Sequence, residues 1–375
     1  MPMRLWPLWV SILGALAVRN SAVYITNVAN LFGHNDFRLY YAGAEVGLRY
    51  GWSDIYDASL HQAAVAGLQP AGPWYPLLTP APITWLVAPL TLLGYPAAYW
   101  VWVALSLTAL GAAAWYARPR QHSASLYWLW CAALGPLWFS AFEGQVTILV
   151  VAAILTGWRL LENRRDLLGG AILAVALFKP YLILLIPLAL LAAGRFRALF
   201  GFTAVAAAAG VGMLVTLHPD GIHDYLVTLL APQAAGEKIE TLYYTLGGGS
   251  SFVLIECLVV ISVIVVSTQA RRAAVAWPVV VSALLGSFLL AGYWHPQDYL
   301  ALDAAAAIML GAGPAGAAVV FAAAMAMVWT PASPPLSNRA MILSWLVIAI
   351  ALLGYLVVRA VRQAESLRFP TRQAA

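Results

Sequence analysis

The chain has 375 residues, of which 63% are hydrophobic and only 9% charged, and its mean hydropathy is +0.82. An ordinary soluble domain is about 45 to 50% apolar and about 25% charged, so a soluble globule, a disordered chain and a disulfide scaffold are excluded together. The formal charge of +5 resides in short gaps between apolar runs, where basic residues read as topology signals rather than as contacts to nucleic acid.

The apolar runs are continuous instead of alternating, which points away from a membrane β-barrel. At about 20 residues per crossing they supply at most about twelve helices. The expected fold is therefore all-α and integral to the membrane, a polytopic bundle of about 10 to 12 spans forming one domain over residues 1–375. Leu5 to Ile25 reads as a retained first span starting in the cytoplasm, with Arg19 near an end.

Residues 27–76 are the most polar tract, and their length marks a functional loop with its own structure. Asp36 to Tyr50 has helical spacing. Phe37, Tyr41, Ala44 and Leu48 form an apolar stripe, while Arg38, Glu45 and Arg49 form a charged one, with Glu45 four residues before Arg49 to pair. Such a helix is expected to lie in the outer interface. Asp36, Tyr40, Gly43 and Gly47 share a third face, small apart from Tyr40, where a substrate or a neighbouring helix could approach the carboxylate. Asn35 and Asp36 are also good N-cap residues, and capping alone would account for an aspartate there.

Further apolar runs follow at Leu77 to Leu93, Ala97 to Tyr116, Ala124 to Phe142, Val146 to Leu161 and Leu167 to Ala193. The later ones are Ala198 to Leu217, Phe252 to Val266, Trp277 to Tyr293, Tyr299 to Leu310, Ala315 to Trp329 and Ala340 to Val358. The basic gaps Arg118/Arg120, Arg164/Arg165, Arg195/Arg197 and Arg271/Arg272, with the tail 359–375, should all be cytoplasmic. That pattern closes if Leu167 to Ala193 folds as a hairpin of short helices with Lys179-Pro180 at its outer apex. It also requires Leu77 to Tyr116, interrupted by Pro80, Pro82 and Pro89, to cross only once. Loops 27–76 and 218–251 then face outward, with Glu143-Gly144-Gln145 and His295-Pro296-Gln297-Asp298.

Several of these outer groups can carry chemistry. Lys179 is one of two lysines and interrupts an apolar run, so its ammonium needs a partner or water; a lipid phosphate at the outer face would supply one, or the lysine snorkels to the interface. Glu143 and Gln145 sit at a junction of two runs, as loop residues or as substrate contacts. His295, Gln297 and Asp298 follow Trp294, and either contact phosphate or anchor the interface. Gly247-Gly248-Gly249-Ser250-Ser251 lacks the lysine of a P-loop. Cys131 and Cys257 lie within apolar runs without metal spacing, and neither paired DxD carboxylates nor another metal-ligand set is present, so no metal is expected.

The order of these features resembles glycosyltransferase family 87, the polyprenol-phosphate-mannose-dependent mannosyltransferases of the GT-C superfamily. The resemblance is carried by Asp36-Phe37 with Tyr40-Tyr41, Gly51 to Asp57 with Ile55-Tyr56-Asp57, Tyr75-Pro76 before Pro80 and Pro89, Gly144-Gln145, and Gly169-Gly170 before Phe178-Lys179-Pro180-Tyr181. It implies a multi-pass enzyme of the plasma membrane, prokaryotic by expectation, acting on the extracytoplasmic side. The donor would be a polyprenyl-phosphate sugar serving as co-substrate without any further cofactor, and the acceptor a lipid or glycan. Asp36 matches the family's catalytic base. Lys179 or His295 would then meet the departing phosphate, which gains negative charge as a diester becomes a monoester. Tyr40, Tyr41, Glu143, Gln145, Tyr181 and Asp298 are the expected substrate contacts. Without the resemblance, two other readings stand: a transporter or lipid flippase with Asp36, Lys179 and Asp298 along its pathway, or an assembly subunit without chemistry.

Overall fold

A computed structural model describes residues 35–68, 74–118, 135–230, 249–292, 294–312 and 349–362, with scattered single positions besides. Most of the first span, the run Ala315 to Trp329, most of 231–248 and the chain beyond 362 lie outside the described residues. Every regular element among those described is helical, and the protein is an all-α membrane protein.

The core forms around α6 (Thr147–Glu162), whose sequence is apolar on all sides; 12 of its 16 residues are buried. A helix without a polar face must be enclosed by others, and α6 packs against α4 (Tyr95–Ala117), α7 (Asp166–Leu173) and α12 (Leu300–Ala312). The 23-residue α4 rises about 1.5 Å per residue, enough for one full crossing. Pro82 opens the short α3 (Pro82–Val87), and a 3₁₀ turn over Ala88–Leu92 follows it, so the stretch from Leu77 to Tyr116 contains one long helix instead of two.

Residues 166–193 fold as a hairpin. α7 runs into a 3₁₀ turn over Ala174–Phe178, Lys179-Pro180 forms the apex, and a second 3₁₀ turn leads to α8 (Ile186–Ala192). Both feet meet at the same level, since Arg195 Nη1 bonds Asp166 Oδ1 at 2.7 Å and the Leu161 carbonyl at 3.1 Å. The other basic gaps gather there. Asn163 donates to the Tyr116 hydroxyl at 3.0 Å beside Arg118, Glu162 caps the start of α11 (Trp277–Leu290) at Ala276 and Trp277, and Arg271, in the last turn of α10 (Gly249–Ala273), packs on Gly194.

The structure departs from expectation in the first loop. Ten of the 13 residues of α1 (Phe37–Arg49) are buried, Arg38 among them, so α1 is largely an interior helix; of its charged stripe Arg38 is enclosed, while Glu45 is half-buried and Arg49 exposed. It is covered by α2 (Ala58–Leu68), α3 and the 3₁₀ turn after α3. His61 of α2 fixes this arrangement: its Nδ1 accepts from Trp74 Nε1 at 3.1 Å, which leaves Nε2 to donate to the Leu39 carbonyl at 3.0 Å. The small face of α1 is filled by protein, with Leu77 and Thr84 over Gly43 and Trp52 over Gly47. Glu45 and Arg49 interact only at long range; the Arg49 guanidinium lies 5.3 Å from the Tyr50 ring centre instead. Residues 218–230, expected as loop, are helical. They continue α9 (Phe196–Leu230) beyond a break at His218 (φ 54°) imposed by Pro219, and Tyr225 stacks on Tyr56 of the first loop at 4.7 Å.

The tightest helix contact is between α7 and α9, where backbones touch. A side chain on Gly170 would fall on the Ala198 carbonyl, and one on Gly201 on the Leu167 carbonyl. Neither backbone can yield without moving its helix. Gly170→Val is expected to cost about 1–3 kcal/mol or more, read as a lowered melting temperature in detergent, whereas Gly210→Ala in α9, where the added carbon meets nothing within 4 Å, leaves it unchanged or raised.

Candidate functional site

At the end of the bundle opposite the basic gaps, four separated segments converge. The first is the start of α1. The Asn35 side-chain oxygen accepts from the Arg38 backbone N–H at 3.2 Å and from the Tyr95 hydroxyl at 2.8 Å. Asn35 is thus the capping side chain, and Asp36 makes no capping bond. Its carboxylate instead accepts a hydrogen bond from Gln145 Nε2, while Gln145 Oε1 accepts from the Tyr40 hydroxyl at 3.0 Å.

The turn Glu143-Gly144-Gln145, between α5 (Gly135–Glu143) and α6, is the second segment. Gly144 has φ 61°, and a Cβ there would lie 2.6 Å from Phe37 Cβ; only glycine supplies both the backbone and the space. Trp102 Nε1 holds the Gly144 carbonyl at 2.7 Å and the Tyr99 hydroxyl holds that of Ala141 at 2.9 Å. Phe37 packs among Tyr41, Tyr95, Tyr99 and Trp102 with ring centres 5.7 to 6.2 Å away. This aromatic cluster sets the distance between the aspartate and the glutamine.

The hairpin apex and the turn at 295–298 complete the site. Lys179 Nζ forms an ion pair of 2.6 Å with Asp298 Oδ1, both side chains almost wholly enclosed. The second carboxylate oxygen of Asp298 accepts from the Tyr181 hydroxyl at 2.9 Å and from the His295 backbone N–H at 3.1 Å. Thr147 donates to Oδ1 at 3.4 Å, and Ser140 donates to the Gln297 carbonyl at 3.2 Å, tying this turn to α5 and α6.

Eight of the nine residues expected from the sequence therefore meet here: Asp36, Tyr40, Glu143, Gln145, Lys179, Tyr181, His295 and Asp298. Tyr41 does not, because one position along a helix turns the side chain by about 100°; its hydroxyl reaches the Thr91 carbonyl at 3.4 Å. Asp298 bonds Lys179, Tyr181 and the backbone, so it positions its neighbours. Arg38 was not among the expected residues. It is 1% exposed and adds positive charge near both Asp36 and Glu143. Its place on the charged stripe of α1 suggested solvent, and only the covering elements reverse that.

Electrostatically, two carboxyl groups share one enclosed volume. Burial pushes Asp36 up from its ordinary value, and Lys179, His295, the Gln145 hydrogen bond and Arg38 pull it part of the way back. Burial also raises Glu143, and the negative charge on Asp36 raises it further. Two like charges in one enclosed volume are not both favoured, and burial with the Asp36 charge pushes Glu143 up to about 8. The arrangement offers two carboxyl groups of raised basicity with Lys179 and Arg38 as cations beside them. Among the described residues, no group of three or more His, Cys, Asp or Glu could hold a metal ion.

Because the Gln145 amide favours the charged form of Asp36, its removal moves the aspartate in one direction. In Gln145→Leu the protonated Asp36 carboxyl band, assigned by comparison with Asp36→Asn in infrared difference spectra, is expected to persist to higher pH than in the wild type. A band that titrates at the same pH, or lower, would place the control of Asp36 elsewhere.

The family model for glycosyltransferase family 87 matches residues 78–312. No curated protein and no solved structure matches the chain.

Proposed function

Since this chain belongs to glycosyltransferase family 87 and is a membrane glycosyltransferase, we propose that it transfers a hexose, mannose in our reading, from a polyprenyl-phosphate donor to a lipid-linked or glycan acceptor, with Asp36 as general base. The observation that carries this reading is the Asp36 carboxylate. It is released from capping by Asn35, enclosed, held by Gln145 and faced by the positive charges of Lys179 and Arg38 with the His295 imidazole nearby.

In the reaction the acceptor hydroxyl oxygen attacks the anomeric carbon from the side opposite the phosphate and gives its proton to Asp36. The new C–O bond forms as the bond to the phosphate oxygen breaks, inverting the configuration, and polyprenyl phosphate leaves with one additional negative charge. A base whose basicity is raised by burial takes the proton more readily. The positive field of Lys179 and Arg38, joined by His295 when it is protonated, stabilises the growing negative charge on the phosphate. Lys179 contributes as one half of a pair with Asp298, so its own charge is largely balanced, and Arg38 is the fixed cation left for this role. Tyr40 and Tyr181 each donate to a side chain that holds the site, which places them as positioning groups.

An extracytoplasmic site is supported by the basic residues. Arg118, Arg164, Arg165, Arg195 and Arg271 gather at the far end of the bundle, and the positive-inside rule assigns such an end to the cytoplasm. A plasma membrane of prokaryotic type fits this orientation.

The test is transfer from radiolabelled polyprenyl-phosphate mannose to a crude lipid-glycan pool by protein in nanodiscs. Wild type should transfer label and Asp36→Asn should lose at least about 10²-fold, with the variant still folded and a chelator without effect. Equal transfer by both proteins removes Asp36 from the chemistry. Competition by unlabelled polyprenyl-phosphate glucose as strong as by the mannose compound would overturn the sugar assignment.

A further inference from the structure

A crevice of about 100 Å³ opens at the basic end of the bundle, between the end of α10, the start of α11 and the helical stretch 349–362. It lies away from the site described above. Its wall is mostly apolar, with Val266, Ala270, Trp277 and Leu356 among the lining residues, and its polar groups are Gln269 and Arg359.

Arg359 is the reason to expect an occupant. Its guanidinium lies 5.6 Å from the Trp277 ring centre, and its Nη1 is shut off from solvent with no hydrogen-bond partner among the described residues. A buried guanidinium N–H without an acceptor is costly. Glu162 is engaged elsewhere, its Oε1 accepting from Trp158 Nε1 at 3.2 Å, Ala276 N at 3.1 Å and Trp277 N at 2.8 Å, and it forms no ion pair with Arg359. Arg271 and Arg272 stand in the last turn of α10 beside the crevice, and Arg362 is exposed one turn beyond Arg359. The surroundings are thus strongly cationic, and the unsatisfied donor calls for an anionic oxygen.

We propose that this crevice binds the phosphate of an anionic phospholipid from the leaflet at the basic end of the bundle. The phosphodiester oxygen accepts from Arg359 Nη1, Gln269 offers an amide to the headgroup, and the start of an acyl chain lies along the apolar wall. The apolar wall and the position at helix ends, where headgroups sit, favour a lipid over free phosphate, the other source of the same chemistry. The proposal is independent of the sugar donor, and its readout does not use transfer activity.

The experiment is native mass spectrometry of the full-length protein, delipidated in detergent and then offered phosphatidylglycerol, phosphatidylcholine or inorganic phosphate. A phosphatidylglycerol adduct is expected on the wild type and on Arg362→Gln, while Arg359→Gln weakens it about tenfold, the loss of one charge-assisted hydrogen bond. Ala270→Leu narrows the crevice with Arg359 intact and should remove the adduct as well, which covers the case in which Arg359→Gln fails to fold. Undiminished binding by either variant overturns the proposal, as does equal retention of phosphatidylcholine. Displacement of the lipid by millimolar inorganic phosphate would assign the crevice to free phosphate instead.

Discussion

The ion pair between Lys179 and Asp298 is what the site end of this protein is built around. Two charges almost free of solvent contact, 2.6 Å apart, are tolerable in an apolar bundle only when each offsets the other and the remaining lone pairs are filled; removing one partner of such a pair typically costs about 3–5 kcal/mol. Asp298 meets the second condition through Tyr181, Thr147 and the His295 backbone. The pair also dictates geometry. A straight helix through residues 166–193 would carry Lys179 into hydrocarbon, and the 3₁₀ turns on either side of Lys179-Pro180 bring it instead to the level of the 295–298 turn. The hairpin, with its shortened helices, is the consequence.

A second constraint acts on the other side of the same volume. Asp36 and Glu143 are enclosed together, and one group cannot be charged without penalising the other. The fold settles this by giving the hydrogen bond of Gln145 and the nearer cations to Asp36. A transferase that must remove a proton from a weakly acidic hydroxyl needs one base of raised basicity, not two carboxylates of ordinary strength. The aromatic cluster around Phe37 and the glycine at position 144 secure that division mechanically, since they fix how closely the turn carrying Gln145 approaches Asp36. The geometry of Asp36 therefore depends on residues of the aromatic cluster and the turn that carry no charge themselves.

The two ends of the bundle are electrostatically distinct for different reasons. At the site end the charges are few, enclosed and mutually compensated. At the opposite end arginines from the four basic gaps and Arg359 lie together with Glu162 and Asp166 as the compensating acids shown there, so the excess remains positive. Such an asymmetry is what the positive-inside rule acts on, and Arg359 is left without an anion.

Composition and apolar run length were enough to identify an all-α membrane protein, because a bilayer accepts only backbones that satisfy themselves. The basic gaps and the broken run at Lys179-Pro180 were enough to anticipate the hairpin, and the prolines the single long helix between Leu77 and Arg118, since charge and proline act locally. The order of short motifs identified the family. What the sequence could not reveal is which local signals would be overridden. The charged stripe of α1 reads as a solvent face, yet its Arg38 is buried, because the covering α2 and α3 are distant decisions of the fold. Asn35 and Asp36 are equivalent as caps in the sequence, and only the position of Tyr95 and Gln145 in space gives the capping to one and frees the other. That Asp298 pairs with Lys179 is likewise visible only in space. Local patterns are set by neighbours along the chain, and the sequence determined those; the protonation state, partner and role of each polar group are set by neighbours in space, and these only the tertiary structure decided.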